Sequence, residues 1–451
     1  MRIAPPRPGP PRPFAPPPFV TARLASGLTA RAARWGKRPT VAVSIVFPGA
    51  GCAADPPGCD GTSELTADLF LGGTRRHDAK ELAVVIDDLA ATLEVSSGAD
   101  SSVARLGILE PDLDAGLALL AEVLTEATFP EEEFQKSRRR LIDTLKEQRS
   151  QPDFLAHERL LDRLYPGHPY GRVTPSERGL AAASRDDVTR FAAERLSLHH
   201  ATLLLAGSAR EDRLLAAAEK AFGSLPIAPA GPAPVVPEAP PVRDVTVHLV
   251  HRPRSVQTNL LFARPAIARN HPRYIPALVA NQSLGGGASS RLFHVLREER
   301  SLTYGAYSTL SPRVRAGHFG ASIDCRTDVT REALEGLLGL VRDFAANGPT
   351  PEEHERSLRY LSGTFILGRE TPGAIVQDEV SRLLHGLPED EWATFRERLA
   401  AVTVEDARDA GRDFFDPGIG VLAAVGDKEK LRPVLEAFGE VTLWDADGPR
   451  A

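Results

Sequence analysis

The chain has 451 residues, 42% of them hydrophobic and 25% charged, with a formal net charge of -6. That length exceeds one ordinary domain and implies two or more of roughly 200 residues each. The acidic balance argues against a nucleic-acid surface, and no stretch approaches the ~20 continuous apolar residues of a membrane span.

The first eighteen residues contain nine prolines. Residues 1–20 are therefore expected to form an extended, polyproline-like arm rather than a packed element. Such an arm serves as a spacer or as a ligand for a proline-binding module. It has no apolar h-region, so as written it is not a signal peptide. The compartment stays open: the cytoplasm by absence of a signal peptide, or the periplasm if a leader is missing. PTVAVSIVFPG (39–49) alternates with period two and predicts a half-buried strand. Cys52 and Cys59 bracket the turn CAADPPGC, which suits either a disulfide or two free thiols. GTSELTADLFLGGT (61–74) opens on small residues, runs through one amphipathic turn and closes on Gly-Gly-Thr. KELAVVIDDLAATL and LDAGLALLAEVLTEA carry apolar residues at helical spacing, and LEVSSGADSSVARLGIL (93–109) reads as a hairpin around Gly98.

A second proline-rich stretch, 226–243, separates two halves of similar length and reads as a linker. The halves resemble each other. LLLAGSAREDRLLAAAEKAFG (203–223) matches VLAAVGDKEKLRPVLEAFG (421–439), SRDDVTRFAAERL (184–196) matches TVEDARDAGRDFF (403–415), and 129–145 matches 349–365. Three matches at an offset close to 220 residues predict a duplicated domain, one copy over 21–225 and one over 244–451. Short strands alternate with longer helices in each copy, an α+β pattern of helices on mostly antiparallel sheets.

The order of these blocks, from about Leu24 to Phe438, resembles the insulinase/pitrilysin-type zinc peptidases, which include mitochondrial processing peptidase. In that family the stretch equivalent to 61–74 carries an HxxEH motif. Its two histidines on one helix face bind zinc, and the intervening glutamate acts as general base. Position by position, the first histidine falls on Glu64, the glutamate on Ala67 and the second histidine on Asp68. The third ligand falls on Thr144 and an acidic helper on Ser137. None of the twelve histidines supplies HExxH or HxxEH elsewhere. The resemblance thus implies the family's two-domain metallohydrolase-type fold, with no catalytic and no metal-binding residue in this chain.

The second half keeps SLGGGASSRLFHVLREERSLTYGAYS (283–308). Ser289 or Ser290 is placed to cap a helix with Leu292, Val295 and Leu296 as its buried stripe. In the family a glycine-rich loop, here Gly285, Gly286 and Gly287, and an Arg and Tyr seven residues apart, here Arg297 and Tyr304, contact substrate. Both side chains donate to a peptide carbonyl or its oxyanion. The bland alternative has Arg297 solvating a helix end while Tyr304 packs on its strand. The hairpin at 93–104 falls where the family pairs with substrate backbone, with Ser97, Asp100 and Ser102 fitting the pattern. Tyr165-Pro-Gly-His168-Pro-Tyr170-Gly171 reads as turn chemistry. The resemblance implies a non-catalytic, substrate-binding subunit of a heterodimeric zinc peptidase. Its partner would be a homologous HxxEH chain carrying the zinc, and its ligand a peptide. The alternative is a structural or peptide-binding subunit with no role in proteolysis.

Overall fold

The computed structural model describes residues 14–227, 236–446 and 448. Residues 1–13 of the arm and 228–235 of the linker lie outside the described residues. Two six-stranded sheets are built. The first comprises β1 (Val20–Arg23), β2 (Thr29–Arg34), β3 (Thr40–Pro48), β4 (Thr92–Ser97), β5 (Ser101–Leu109) and β6 (Thr202–Gly207), in the order β1-β2-β6-β3-β5-β4. The second comprises β7 (Val245–His251), β8 (Gln257–Ala266), β9 (Thr303–Pro312), β10 (Gly317–Arg326), β11 (Gly420–Gly426) and β12 (Val441–Asp445), in the order β12-β7-β11-β8-β10-β9. Five strands repeat one topology: the order β2-β6-β3-β5-β4 corresponds to β7-β11-β8-β10-β9. In both copies the first of these pairs is parallel and the next antiparallel. The duplication read from the sequence is therefore a duplication of fold, α+β in each half.

The matched helices also repeat. Ser184 and Thr403 each close a capping box on the helices Arg185–Arg195 and Val404–Phe415. Glu131–Arg149 and Pro351–Leu367 form the third matched pair. The hairpin around Gly98 is present as β4 and β5.

The sheets are covered on both faces, because the halves exchange a helix. On its own side the first sheet packs Val41, Val43, Ile45, Leu203 and Leu205 into one core. Its other face, Val46, Val103, Leu204 and Ala206, is covered by Ile375, Val376 and Val380 of the helix Pro372–His385 from the second half. The reciprocal helix, Pro152–Leu164, lays Leu155, Leu160, Leu161 and Leu164 against Val421, Ala423, Val425 and Leu261 of the second sheet. Each exchanged apolar side chain contributes about 1.5–3 kcal/mol by area, so each helix fastens the halves strongly. The half-buried expectation for 39–49 is corrected accordingly: Val43 through Phe47 are buried, including Ser44, because a helix lies on each face.

The proline-rich segments are packed where they are described. Phe14 meets Trp35 of the first half and Phe365 of the second edge-on, each at 5.9 Å between centroids. Trp35 Nε1 donates to the Arg369 carbonyl at 2.9 Å. The end of the arm is thus a packed element across the seam, contrary to the expectation for 1–20. Val236, Ala239 and Val242 pack against the exchanged-helix cluster, so this part of the linker lies on the protein rather than swinging free. Among the described residues no helix is long and apolar enough to cross a membrane. Cys52 and Cys59 are free thiols.

Candidate functional site

The stretch 61–74 folds as the helix Thr62–Leu69, entered through Gly61 at φ 102°. The Asp55 carboxylate reaches over from the preceding loop and accepts from Gly61 N at 2.9 Å and Ser63 N at 2.8 Å, closing the helix start. Ala67 is buried. Asp68 accepts from the Ser137 hydroxyl and from the Arg140 guanidinium, both on the helix Glu131–Arg149. Ser137, Arg140 and Thr144 share one face of that helix; Ser137, aligned with the family's acidic helper, meets Asp68, aligned with the second histidine, while Thr144 is exposed. The side chains there do not suit zinc. Asp68 is already paired with a cation, Ala67 offers no base, and Thr144 offers a neutral hydroxyl. Among the described residues no group of three or more His, Cys, Asp or Glu is placed to hold a metal ion. The sequence reading missed Arg140, although its place one turn after Ser137 in SRRRL was the available signal.

Arg297 and Tyr304 line one cleft of about 680 Å³, together with Gln257, Tyr307, Ser322 and Asp324. Three backbone irregularities lie between and around them. Residues His294–Glu299 form a π-helical turn, with Arg300 N donating to the Val295 carbonyl at 3.0 Å. Ser301 sits at φ 55°, left-handed for a non-glycine residue. On β9 three steps separate Ala306 from Thr303, whereas the partnered residues of β10, Ile323 and Cys325, are two steps apart. The extra residue is a bulge at Tyr304–Gly305. Without it Tyr304 would share the inward parity of Ala306 and Ser308, both buried; with it Tyr304 is 90% exposed. The bland packing alternative for Tyr304 is therefore ruled out. π-turns, bulges and strained φ angles concentrate at functional sites because they re-aim side chains. Asp324, in the cleft lining, accepts from Asn259 Nδ2 at 2.7 Å. Burial pushes the Asp324 carboxyl above its ordinary value, the Asn259 bond opposes this, and nearby Asp153 adds to the rise.

The glycine loop does not line this cleft. Gly285 sits against β9: its carbonyl accepts from Ser308 N at 2.9 Å, and a Cβ there would lie 2.2 Å from that nitrogen. Gly286 lies on Gln282, while Gly287 has more room, with 3.6 Å to the nearest atom. Ser290 occupies the cap position, but its hydroxyl donates to the Gly287 carbonyl at 2.6 Å instead of accepting from a helix N–H, and Ser289 is exposed. Leu292 and Leu296 are buried as expected, whereas Val295 is only half-buried.

At the hairpin, Ser102 donates to the Ala50 carbonyl at 2.6 Å and Asp100 accepts from Tyr170 Oη at 2.6 Å. Tyr170 Oη also accepts from Arg315 N at 3.3 Å, and the Arg313 guanidinium lies 4.7 Å from the Tyr170 ring. His168 Nδ1 accepts from Tyr170 N, leaving Nε2–H to donate to the Pro237 carbonyl at 3.0 Å. The block 165–171 thus joins the hairpin, the β9–β10 turn and the linker. β4 is an edge strand of its sheet.

Two family models match the chain: the insulinase (M16) peptidase model over residues 34–176, and the peptidase M16 inactive-domain model over 182–361. An uncharacterized zinc protease of Streptomyces coelicolor is 25% identical over 397 residues, covering 85% of this chain and 84% of that protein. One from Bacillus subtilis is 26% identical over 399 residues, covering 86% and 95%. Among solved structures, a peptidase M16 inactive domain from Pseudomonas fluorescens aligns with a TM-score of 0.84 at 24% identity, covering 91% of this chain and 98% of that one. A protease from Helicobacter pylori aligns with a TM-score of 0.84 at 17% identity, covering 91% and 99%.

Proposed function

From a chain that belongs to the insulinase-type (M16) peptidase family, we propose a non-catalytic, substrate-binding subunit of a heterodimeric zinc peptidase. The observation that carries this reading is the shared cleft of Arg297 and the outward-turned Tyr304. At the aligned metal positions, Asp68 is bound to Arg140 and Ser137, and Ala67 replaces the base. A homologous HxxEH chain supplies zinc and base in this scheme, and this chain needs no cofactor of its own. Arg297 and the Tyr304 hydroxyl donate to a carbonyl of an extended peptide, and to the oxyanion as hydrolysis proceeds at the partner's metal. The duplicated fold contributes half of the enclosing chamber. The glycine loop favours a second reading, a purely structural subunit, to the extent that it buttresses β9 rather than lining the cleft.

The test is assembly and activity together. Alone, the chain should show no peptidase activity. Mixed with its HxxEH partner it should form a stable heterodimer burying at least ~1,000 Å², seen by size exclusion with light scattering. A partner equally active with and without this chain would refute the proposal.

A further inference from the structure

On the reading that this cleft holds peptide, we propose that Tyr307 is a positioning residue that sets Arg297 through the ring of Phe293. Arg297 is exposed, and among the described residues its guanidinium makes no ion pair. A long side chain in that setting loses much rotamer freedom when it grips a ligand, unless it is set in advance. Here the restraint is aromatic. Arg297 Cζ lies 4.6 Å from the centroid of the Phe293 ring. Phe293 is buried, so its ring is a fixed platform. Tyr307, on β9, packs against that ring, with centroids 5.7 Å apart at 48°.

Tyr307 can do so because of its seat. It folds over Gly305, where a Cβ would stand 2.7 Å from Tyr307 Cε2 and 3.0 Å from its hydroxyl oxygen. Gly305 also belongs to the bulge that turns Tyr304 outward. One local distortion therefore exposes the donor Tyr304 and seats the Tyr307 ring against Phe293, the ring that Arg297 lies over. The chain of contact runs from Gly305 to Tyr307, Phe293 and Arg297, with its last member open to a peptide carbonyl. This proposal deepens the substrate-binding reading and adds Tyr307, Phe293 and Gly305 to the Arg297–Tyr304 pair.

The experiment reads Arg297 directly, without a ligand. The full chain and its variants are treated with phenylglyoxal, and modification at Arg297 and Arg300 is followed by peptide mass spectrometry. Arg300, exposed at the same helix end, is the internal reference. Tyr307→Ala and Gly305→Ala should speed modification of Arg297 relative to Arg300 by a factor of about two to five, the span of an exposed cation–π contact. Tyr307→Phe keeps the ring and should leave the ratio at the wild-type value. An unchanged ratio in Tyr307→Ala overturns the proposal, as does a Tyr307→Phe variant that behaves like Tyr307→Ala. Anisotropy of a fluorescein-labelled random dodecapeptide pool tests the underlying reading separately. Wild-type chain should bind the pool, and Arg297→Ala/Tyr307→Ala should bind no more weakly than Arg297→Ala alone. An additive double variant overturns the positioning role. Absence of wild-type binding with the Arg297 ratio still responding to Tyr307→Ala would sink the peptide reading alone.

Discussion

Acidification should destabilise the fold through a pair of histidines, His248 and His318, on the sheet that the exchanged helix Pro152–Leu164 covers. Trp444 Nε1 donates to His248 Nδ1 at 3.2 Å, and the other ring nitrogen is 3.1 Å from the Thr246 hydroxyl, so the ring is held neutral. Burial holds its pKa down to about 4, aided by Arg163 and Arg159 on the helix. His318, on β10, faces Tyr165 Oη at 3.4 Å and is likewise lowered to about 4 by burial, then by Arg313 and His157. Unfolded histidine titrates near 6.5. Between pH 6.5 and 4 the unfolded chain takes up protons that these two sites refuse. The stability concerned is complete above pH 6.5 and is lost as pH falls toward 4. A shift of about 2.5 units is worth up to about 3 kcal/mol per histidine, and two sites give a slope of at most about 2.7 kcal/mol per pH unit near pH 5. Urea unfolding from pH 7.5 to 4.5 should show this slope in wild type. The double variant His248→Asn/His318→Asn should have a much shallower one, even though it is less stable at neutral pH. An identical pH dependence in the two proteins would show that the histidines are not held neutral.

The other expectations are simpler to check. Purified protein should contain far less than one zinc per chain by elemental analysis, because Asp68 is committed to Arg140 and Thr144 replaces a carboxylate. Stoichiometric zinc surviving dialysis at these positions would contradict this. Within one loop, Gly285→Ala should destabilise by about 1–3 kcal/mol or more through overpacking, since its Cβ would meet backbone at 2.2 Å. Gly287→Ala, with 3.6 Å available, should shift the thermal midpoint little; equal effects in the two variants would argue against the buttressing role of Gly285.

The duplication was readable because capping residues, helix periodicity and strand hydrophobicity are local and recur in the same order. Ser184 and Thr403 announce their helices without reference to the rest of the chain. The exchange of helices was not readable. Pro152–Leu164 has an apolar stripe whichever sheet it covers, and only tertiary packing assigns it to Val421 and Val425 rather than to its own half. The same ignorance made β3 look half-buried. At the cleft, the spacing of Arg297 and Tyr304 was visible, but a π-turn and a bulge each insert one residue without a signature residue type. The parity of Tyr304 therefore had no basis in the sequence. Loss of the zinc ligands was plain from Glu64, Ala67 and Asp68, whereas the pairing of Asp68 with Arg140 needed two helices to be brought together.

The measurement closest to the central claim is steady-state kinetics of the reconstituted heterodimer carrying Arg297→Ala or Tyr304→Phe. Zinc content and subunit association are to be checked in parallel. If the cleft holds substrate at the partner's metal, each variant should lower kcat/KM without dissociating the complex. The loss should reach about 10²–10³ in kcat where an oxyanion donor is removed, and be smaller and confined to KM where only positioning is lost. Arg300→Ala, at the same helix end, should retain wild-type rates, and the double variant should be less than additive. Wild-type kinetics in both single variants would contradict the account and leave a structural subunit in its place.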